Sequence, residues 1–282
     1  MSRIGKTFEK LRARGEKALI PYLMAGDPYL ERTEELVLTL AQSGADIIEL
    51  GVPFSDPIAD GPVIQRAGLR ALKWKTSLRD ILKLVEAIRR KTEVPLVLMT
   101  YTNPVSKFGE EHFIREAVSA GVDGVILPDL PPEEGRLFMS QAEKQDLDVI
   151  LLAAPTTPRD RLEMISRLTR GFLYYVSLIG ITGASLGELR EVQARILGIR
   201  KLTPKPIAVG FGIETPKQAA AMARVADGVI VGSAIVRLIE DQIDRPELLR
   251  SVGGFVKDLK QALVSTKKQA LRLKRTGQGE KS

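Results

Sequence analysis

The sequence of 282 residues predicts a single (β/α)8 TIM barrel with an extra N-terminal helix and a basic C-terminal tail. Two features predict this fold. Eight short apolar runs recur along the chain, and they are continuous rather than alternating, as in parallel strands that helices cover on both faces. A helical pattern follows each run, which indicates consecutive β–α units. Eight such units favour closure into a barrel.

The predicted strands are residues 18–26, 46–52, 95–101, 124–129, 148–154, 173–178, 206–212 and 228–234. An open doubly wound sheet is the structural alternative, but the G-x-G-x-x-G motif typical of that fold does not follow the first strand. No linker or low-complexity segment divides the chain before residue 265. We therefore expect residues 1–265 to form one catalytic domain and residues 266–282 to form the tail.

Composition excludes several functional classes. The chain is 44% hydrophobic and 27% charged, as is typical of soluble globular proteins. No stretch approaches the roughly 18 consecutive apolar residues of a membrane span, and the charged N-terminus lacks the apolar core of a secretory signal. The absence of cysteine excludes disulfides and thiolate metal sites and fits a reducing compartment. We expect a cytoplasmic protein without a membrane partner.

The net charge of +7 is concentrated in the tail. Residues 266–282 contain six Lys or Arg against one Glu, so the tail carries +5 and the rest of the chain only +2. A tail of this kind is typically a solvated helix end or a disordered arm. An arm that binds RNA or membranes is the less favoured alternative, and no nucleic-acid partner is expected.

A carboxylate interrupts the second predicted strand. Because side chains alternate along a strand, Ile47, Glu49 and Gly51 share one face. Burial inside a barrel would raise the pKa of Glu49 and suit it to proton transfer near neutrality. A buried ion pair is the alternative, but the predicted strands contain no Lys or Arg to supply the partner.

The loop after this strand carries two more carboxylates, Asp56 and Asp60, among prolines at positions 53, 57 and 62. Prolines stiffen a loop, and loops after the strands of a barrel build its active site. A stiff loop could hold a second carboxylate over the barrel mouth. Asp56 and Asp60 could equally be turn-forming residues, and the sequence pattern alone leaves both interpretations open.

Glycine-bearing turns follow the last three predicted strands, at Gly180–Gly183, Gly210–Gly212 and Gly232–Ser233. Barrels often bind phosphate in the loops after strands seven and eight, with help from a helix N-terminus. Ser233 could cap the helix that follows it. The pattern favours a phosphorylated substrate, and the alternative is a set of structural turn glycines.

The sequence predicts no metal site. His112 is the only histidine, and it lies in a helical segment where a surface or packing role is expected. The chain therefore has no Ser–His or Cys–His nucleophile system and no histidine cluster for a metal. Carboxylates and Tyr175 remain as candidates for proton transfer.

The run IIELGVPFSDPIADGPVIQRA at residues 47–67 resembles the signature of the tryptophan synthase α chain family. The resemblance covers roughly residues 1–264. It continues through PYLMAGDP (21–28), MTYTNPV (99–105), GVILPDLP (124–131), YYVSLIGITGA (174–184), VGFGI (209–213) and VGSAIV (231–236).

The resemblance implies a carbon–carbon lyase of tryptophan biosynthesis that splits indole-3-glycerol phosphate into indole and glyceraldehyde 3-phosphate by a retro-aldol reaction. It implies no cofactor on this chain. The expected partner is a tryptophan synthase β chain, which uses pyridoxal phosphate to join indole to serine, in an α2β2 heterotetramer. One alternative is a weakly active subunit that mainly binds and activates the β chain. Another is a different phosphate-binding barrel, such as an isomerase or synthase of the same pathway.

The resemblance also implies roles for individual residues. Glu49 would be the acid/base that protonates the indole ring carbon and helps deprotonate a glycerol hydroxyl, and Asp60 would hydrogen-bond the indole nitrogen. Tyr175 would lie near the reacting centre, and Thr182 would help to close its loop on Asp60. The phosphate would be bound by Gly183, Gly212, Gly232 and Ser233, and the indole pocket would be lined by Tyr22, Phe211 and Ile230. Position 22 is Phe in familiar members, so Tyr22 adds a hydroxyl.

Overall fold

The structure, a computed structural model, describes residues 1–176, 186–210 and 212–276, and of residues 186–189 and 265–276 only the backbone. Its strands form one parallel sheet in the order β5-β4-β3-β2-β1-β9-β8-β7-β6. They are β1 (Ala18–Met24), β2 (Ile48–Gly51), β3 (Leu96–Met99), β4 (Gly124–Ile126), β5 (Asp148–Val149), β6 (Leu152–Ala153), β7 (Leu173–Val176), β8 (Ile207–Gly210) and β9 (Gly228–Val231).

The fifth predicted strand is divided into β5 and β6, and this segment closes the barrel. β5 pairs with β4 on one side, and β6 pairs with β7 on the other. Only Ile150 and Leu151 separate the two halves. The Ile150 amide donates to the Val125 carbonyl, and the Tyr174 amide donates to the Leu151 carbonyl. The two ends of the sheet therefore meet in one stretch of chain, and the predicted (β/α)8 barrel is confirmed.

Helices follow the strands around the outside of the barrel. They are α1 (Arg3–Arg14), α2 (Leu30–Gln42), α3 (Pro62–Lys73), α4 (Leu78–Arg89), α5 (Thr102–Phe108), α6 (Glu110–Ala120), α7 (Arg136–Lys144), α8 (Arg159–Leu168), α9 (Leu186–Arg200), α10 (Pro216–Ala223), α11 (Ser233–Asp241) and α12 (Leu248–Thr276). Several are additional helices beyond one per strand, and two of these, α3 and α11, shape the functional site.

Strand alternation divides the core into two layers. Ile47 belongs to a cluster inside the barrel, whereas Ile48 and Leu50 belong to the larger cluster between strands and helices. The extra N-terminal helix α1 closes the lower end of the barrel, because its Ile4 and Phe8 pack into the interior cluster. The upper end, where the strands have their carboxyl ends, is left open for a site.

The last helix extends beyond the barrel. α12 packs on α10 and α2 and continues to Thr276, past the predicted boundary at residue 265. The division into a catalytic domain and a basic tail stays a prediction. Within the described ranges, every helix is too short or too polar to cross a membrane.

Candidate active site

A cavity of about 750 Å³ opens at the carboxyl ends of the strands. Its wall is built by the strand ends and by the loops that follow them, as the barrel fold requires. The wall residues that determine the chemistry of the cavity are Tyr22, Glu49, Asp60, Tyr174, Gly212, Ile230, Gly232, Ser233 and Arg237. The cavity therefore brings together most of the described residues that the sequence predicted for a site.

Glu49 lies in β2 between Tyr22 of β1 and Val97 of β3. Its side chain is fully buried, and neither carboxylate oxygen has a hydrogen-bond partner within the described part of the chain. The described residues form no salt bridge with it, so the alternative of a buried ion pair finds no support there. Burial penalises the charged form and raises the pKa of Glu49 to about 8. The carboxyl is therefore predominantly protonated at neutral pH.

Asp60 lies in the loop between β2 and α3. Burial raises its pKa to about 6, and a hydrogen bond from the Tyr101 hydroxyl opposes that shift. The same hydroxyl accepts a hydrogen bond from the Ala59 amide at 3.1 Å, so Tyr101 holds both the loop and its carboxylate. Asp56 differs from Asp60, because it is exposed and bonds to the neighbouring Ser55 hydroxyl. The turn interpretation fits Asp56, and the site interpretation fits Asp60.

The part of the cavity wall that follows β8 and β9 is suited to an anion. Gly212 has a φ of 50°, a left-handed conformation that favours glycine. The N-terminus of α11 borders the cavity, and the first amides of a helix have no partner within the helix. The predicted cap at Ser233 is wrong, because Gly232 occupies the N-cap and Ser233 is the first helical residue. Arg237, one turn further along, adds a cation that pairs with Glu214 at 3.1 Å.

Tyr22 and Ile230 lie in the cavity wall near Glu49, as expected for an apolar pocket with one hydroxyl. Three other predicted site residues, Phe211, Thr182 and Gly183, lie outside the described residues.

The structure does not bring Tyr175 to the cavity. Its side chain is 2% exposed and belongs to the outer layer of the core, towards Glu191 and Arg195 of α9. The neighbouring Tyr174 lines the cavity instead, and Glu49 contributes to its raised pKa. Adjacent strand residues point to opposite faces, so the predicted position is wrong by one residue and therefore by one face.

Sequence analysis also missed two polar residues: Arg237 in the cavity wall, and Tyr101, which contacts the loop that carries Asp60. Tyr101 lies two residues after β3 in the run MTYTNPV, and a polar aromatic just beyond a strand end is the signal that could have identified it. Arg237 lies one turn into the helix after β9, where a basic residue beside a helix N-terminus indicates an anion site.

No cluster of three or more potential metal ligands occurs within the described ranges. His112 lies on α6, where its ring stacks on Phe108 with centroids 5.0 Å apart. The surface or packing role expected for it fits this position.

The cavity supports acid–base chemistry. At neutral pH it holds one carboxyl that keeps its proton, Glu49, and one that has lost it, Asp60. Two carboxyls with separated pKa values can divide the roles of acid and charge stabiliser. The fold and the cavity thus define a barrel enzyme that moves protons on a small substrate with an anionic end.

Comparison with known proteins identifies the family. Residues 8–264 match the family model described as the tryptophan synthase alpha chain. The chain is 52% identical to the tryptophan synthase alpha chain of Geotalea uraniireducens, over 92% of this chain and 97% of that one. It is 50% identical to that of Geobacter sulfurreducens, over 93% and 99%. The chain belongs to the tryptophan synthase α chain family.

Solved structures agree with this assignment. Tryptophan synthase subunit alpha from Legionella pneumophila has 43% identity and a TM-score of 0.88, with 94% of this chain and 99% of that chain covered. Tryptophan synthase from M. tuberculosis, in an aminoacrylate-bound form, has 36% identity, a TM-score of 0.84 and coverage of 93% and 100%. The similarity extends over the whole barrel.

Proposed function

We propose that this chain cleaves indole-3-glycerol phosphate to indole and glyceraldehyde 3-phosphate, as a carbon–carbon lyase of tryptophan biosynthesis. The observation that carries the assignment of roles is the buried and unpaired carboxyl of Glu49 in the cavity that Asp60 also lines. Family membership supports the choice of substrate.

The reaction needs two proton transfers. Glu49, protonated at neutral pH, donates its proton to the indole ring carbon that carries the glycerol chain. The ring becomes cationic, and the ionised Asp60 accepts a hydrogen bond from its N–H and stabilises the charge. The Glu49 carboxylate then removes the proton of the adjacent chain hydroxyl. The carbon–carbon bond breaks, its electrons return to the ring, and the hydroxyl carbon becomes the aldehyde.

The phosphate end of the substrate is assigned to Gly212, Gly232 and Ser233, whose loops border the cavity. Gly183 is proposed with them, and Thr182 as a loop-closing partner of Asp60, from the family pattern. Tyr22, Phe211 and Ile230 are proposed to line the indole pocket. Tyr174 takes the place near the reacting centre that was predicted for Tyr175.

The proposed partner is a tryptophan synthase β chain, which would hold pyridoxal phosphate and consume the indole. We propose an α2β2 assembly in the cytoplasm. No cofactor is assigned to this chain, because proton transfer and charge stabilisation by side chains suffice for the step described above.

Turnover measurements with the β chain present test the proposal. Glu49→Gln and Asp60→Asn should each lower the rate of indole release by a factor of about 10² to 10⁴, the usual contribution of a positioned acid or base. Asp56→Asn, in the same loop but exposed, is the matched control and should retain the rate. Wild-type rates in both variants would refute the assigned roles. Near-zero turnover in the unsubstituted complex, with normal activation of the β chain, would favour the weakly active subunit.

A further inference from the structure

Tyr22 carries a polar group that the proposed mechanism does not use. It is the register partner of Glu49 on the neighbouring strand β1, so both residues enter the barrel at the same level. The side chain is 5% exposed and lines the cavity, and its ring packs with Met24 and Val236. Its hydroxyl is therefore fixed in the wall beside the reacting groups.

Gly51 determines where this hydroxyl lies. A side chain at Gly51 would overlap the Tyr22 hydroxyl and ring, so the phenol occupies the space that the glycine leaves free. Gly51 is two residues beyond Glu49 on the same face of β2, towards the barrel mouth. The hydroxyl thus lies above Glu49, on the path towards the loop that carries Asp60.

The Tyr22 hydroxyl has no hydrogen-bond partner among the residues that the structure describes, although both carboxyls lie close enough to raise its pKa. Burial is the larger cause of that rise, and the hydroxyl consequently stays protonated at neutral and alkaline pH. Tyr22 lines the cavity, so a ligand that displaces water from this hydroxyl must replace the lost hydrogen bond or leave the donor unpaired at a cost.

We propose that the Tyr22 hydroxyl binds the substrate directly, by donating a hydrogen bond to the chain hydroxyl oxygen that Glu49 deprotonates. This inference rests on the proposed roles of Glu49 and Asp60, because it places the substrate between them. The indole N–H is a donor and is paired with Asp60, so it cannot accept from Tyr22. The chain hydroxyls are the acceptors that remain on the carbon skeleton between the ring and the phosphate.

Such a contact makes Tyr22 a specificity-determining residue. A site built to bond a hydroxyl discriminates against analogues that lack it, because its buried donor is then left unpaired. Tyr22→Phe removes one oxygen atom and retains the ring that packs on Gly51. The variant should therefore lose selectivity for the hydroxylated chain and keep its fold.

Binding measurements on the full-length chain test this. In a Glu49→Gln background, which slows turnover, Tyr22→Phe should weaken the affinity for indole-3-glycerol phosphate about threefold to tenfold, the range of one neutral hydrogen bond. The affinity for indole-3-propanol phosphate, which has the same ring and phosphate but no chain hydroxyl, should not weaken. Tyr29→Phe, at the exposed rim of the same β1–α2 connection, is the matched control and should leave both affinities unchanged.

Equal affinity losses for both ligands would overturn the proposal, because a packing defect would explain them. Unchanged affinities would also overturn it, and a shifted pH profile of kcat/KM for Tyr22→Phe in the chain that retains Glu49 would then assign the hydroxyl to Glu49 instead. Failure of the underlying function is separable, since Glu49→Gln alone would then retain turnover whatever residue occupies position 22.

Discussion

The hydroxyl of Tyr101 lies close enough to the carboxylate of Asp60 to lower the pKa of that group, and it accepts a hydrogen bond from the Ala59 amide at 3.1 Å. The ring of Tyr101 packs against Phe54 at the start of the same loop, with centroids 5.2 Å apart. One side chain at the end of β3 therefore holds the loop after β2 at several points. This contact fixes both the position and the ionisation of the second carboxylate.

Tyr101→Phe should move the acid limb of the pH profile to higher pH. Hydrogen bonding from Tyr101 lowers the pKa of Asp60, whereas burial raises it. Without the Tyr101 hydroxyl the pKa of Asp60 rises, and the carboxyl stays protonated up to a higher pH. We expect kcat/KM at neutral pH to fall about tenfold. A profile whose acid limb stays in place, or moves to lower pH, would contradict the assignment.

The activity of the unsubstituted enzyme should follow a bell-shaped pH profile. Asp60 must lose its proton to stabilise the cation, which places the acid limb near 6, and Glu49 must keep its proton, which places the alkaline limb near 8. Steady-state kcat/KM across this range provides the measurement. Asp60→Asn should remove the acid limb from the residual activity and leave the alkaline one, and a profile without an alkaline limb would argue against protonated Glu49 as the acid.

Substitution of two adjacent tyrosines should have different effects. Tyr174→Phe removes a hydroxyl from the cavity and should lower kcat/KM by several-fold, about the value of one hydrogen bond. Tyr175→Phe removes a hydroxyl from the outer layer beside α9 and should leave kcat/KM within about twofold. Kinetics of the matched pair would contradict the structure if Tyr175→Phe were the more impaired.

The tyrosine pair also shows where sequence analysis reaches its limit. The run LYYVSL is apolar at consecutive positions because a barrel strand is buried on both faces. Such a run predicts the strand but carries no alternation that would tell the inner face from the outer. Glu49 was predictable for the opposite reason, since a single carboxylate in an apolar run defines the face it occupies.

Contacts between loops that are distant in sequence could not be predicted from the sequence pattern either. The contact of Tyr101 with the loop that carries Asp60 depends on β2 and β3 being neighbours in the closed sheet, which no local spacing encodes. The division of the fifth strand at Ile150 and Leu151 could not be predicted either, because it depends on the different strands with which its two halves pair. The number of β–α units, the burial of their strands and the position of the mouth were all evident from the apolar runs.

A network of charges joins the two helices α3 and α11 beside the site, and its removal should destabilise the fold. Arg70 of α3 binds both oxygens of the buried Asp27, at 2.7 and 2.8 Å, and also bonds Glu240 of α11. Arg70→Ala leaves Asp27 buried without its partner, so we expect a loss of about 2 to 4 kcal/mol in the free energy of unfolding.

Arg90→Ala is the matched control for this network. Arg90 pairs with Glu86 one turn away on the surface, and both side chains are mostly exposed. The substitution should lower the free energy of unfolding by at most about 0.5 kcal/mol. Chemical denaturation of the two variants compares them directly, and equal losses would show that the network does not hold α3 and α11 together.

The most direct test of the account is the titration of Glu49 itself. Carboxyl-carbon NMR of the protein labelled at glutamate, with the Glu49→Gln spectrum subtracted to assign the signal, reports its ionisation at each pH. Burial without a partner predicts a midpoint near 8, so that the group carries its proton at neutral pH and can donate it to the substrate. A midpoint near the ordinary value of 4.5 would contradict the account, because Glu49 would then be ionised before the substrate arrives.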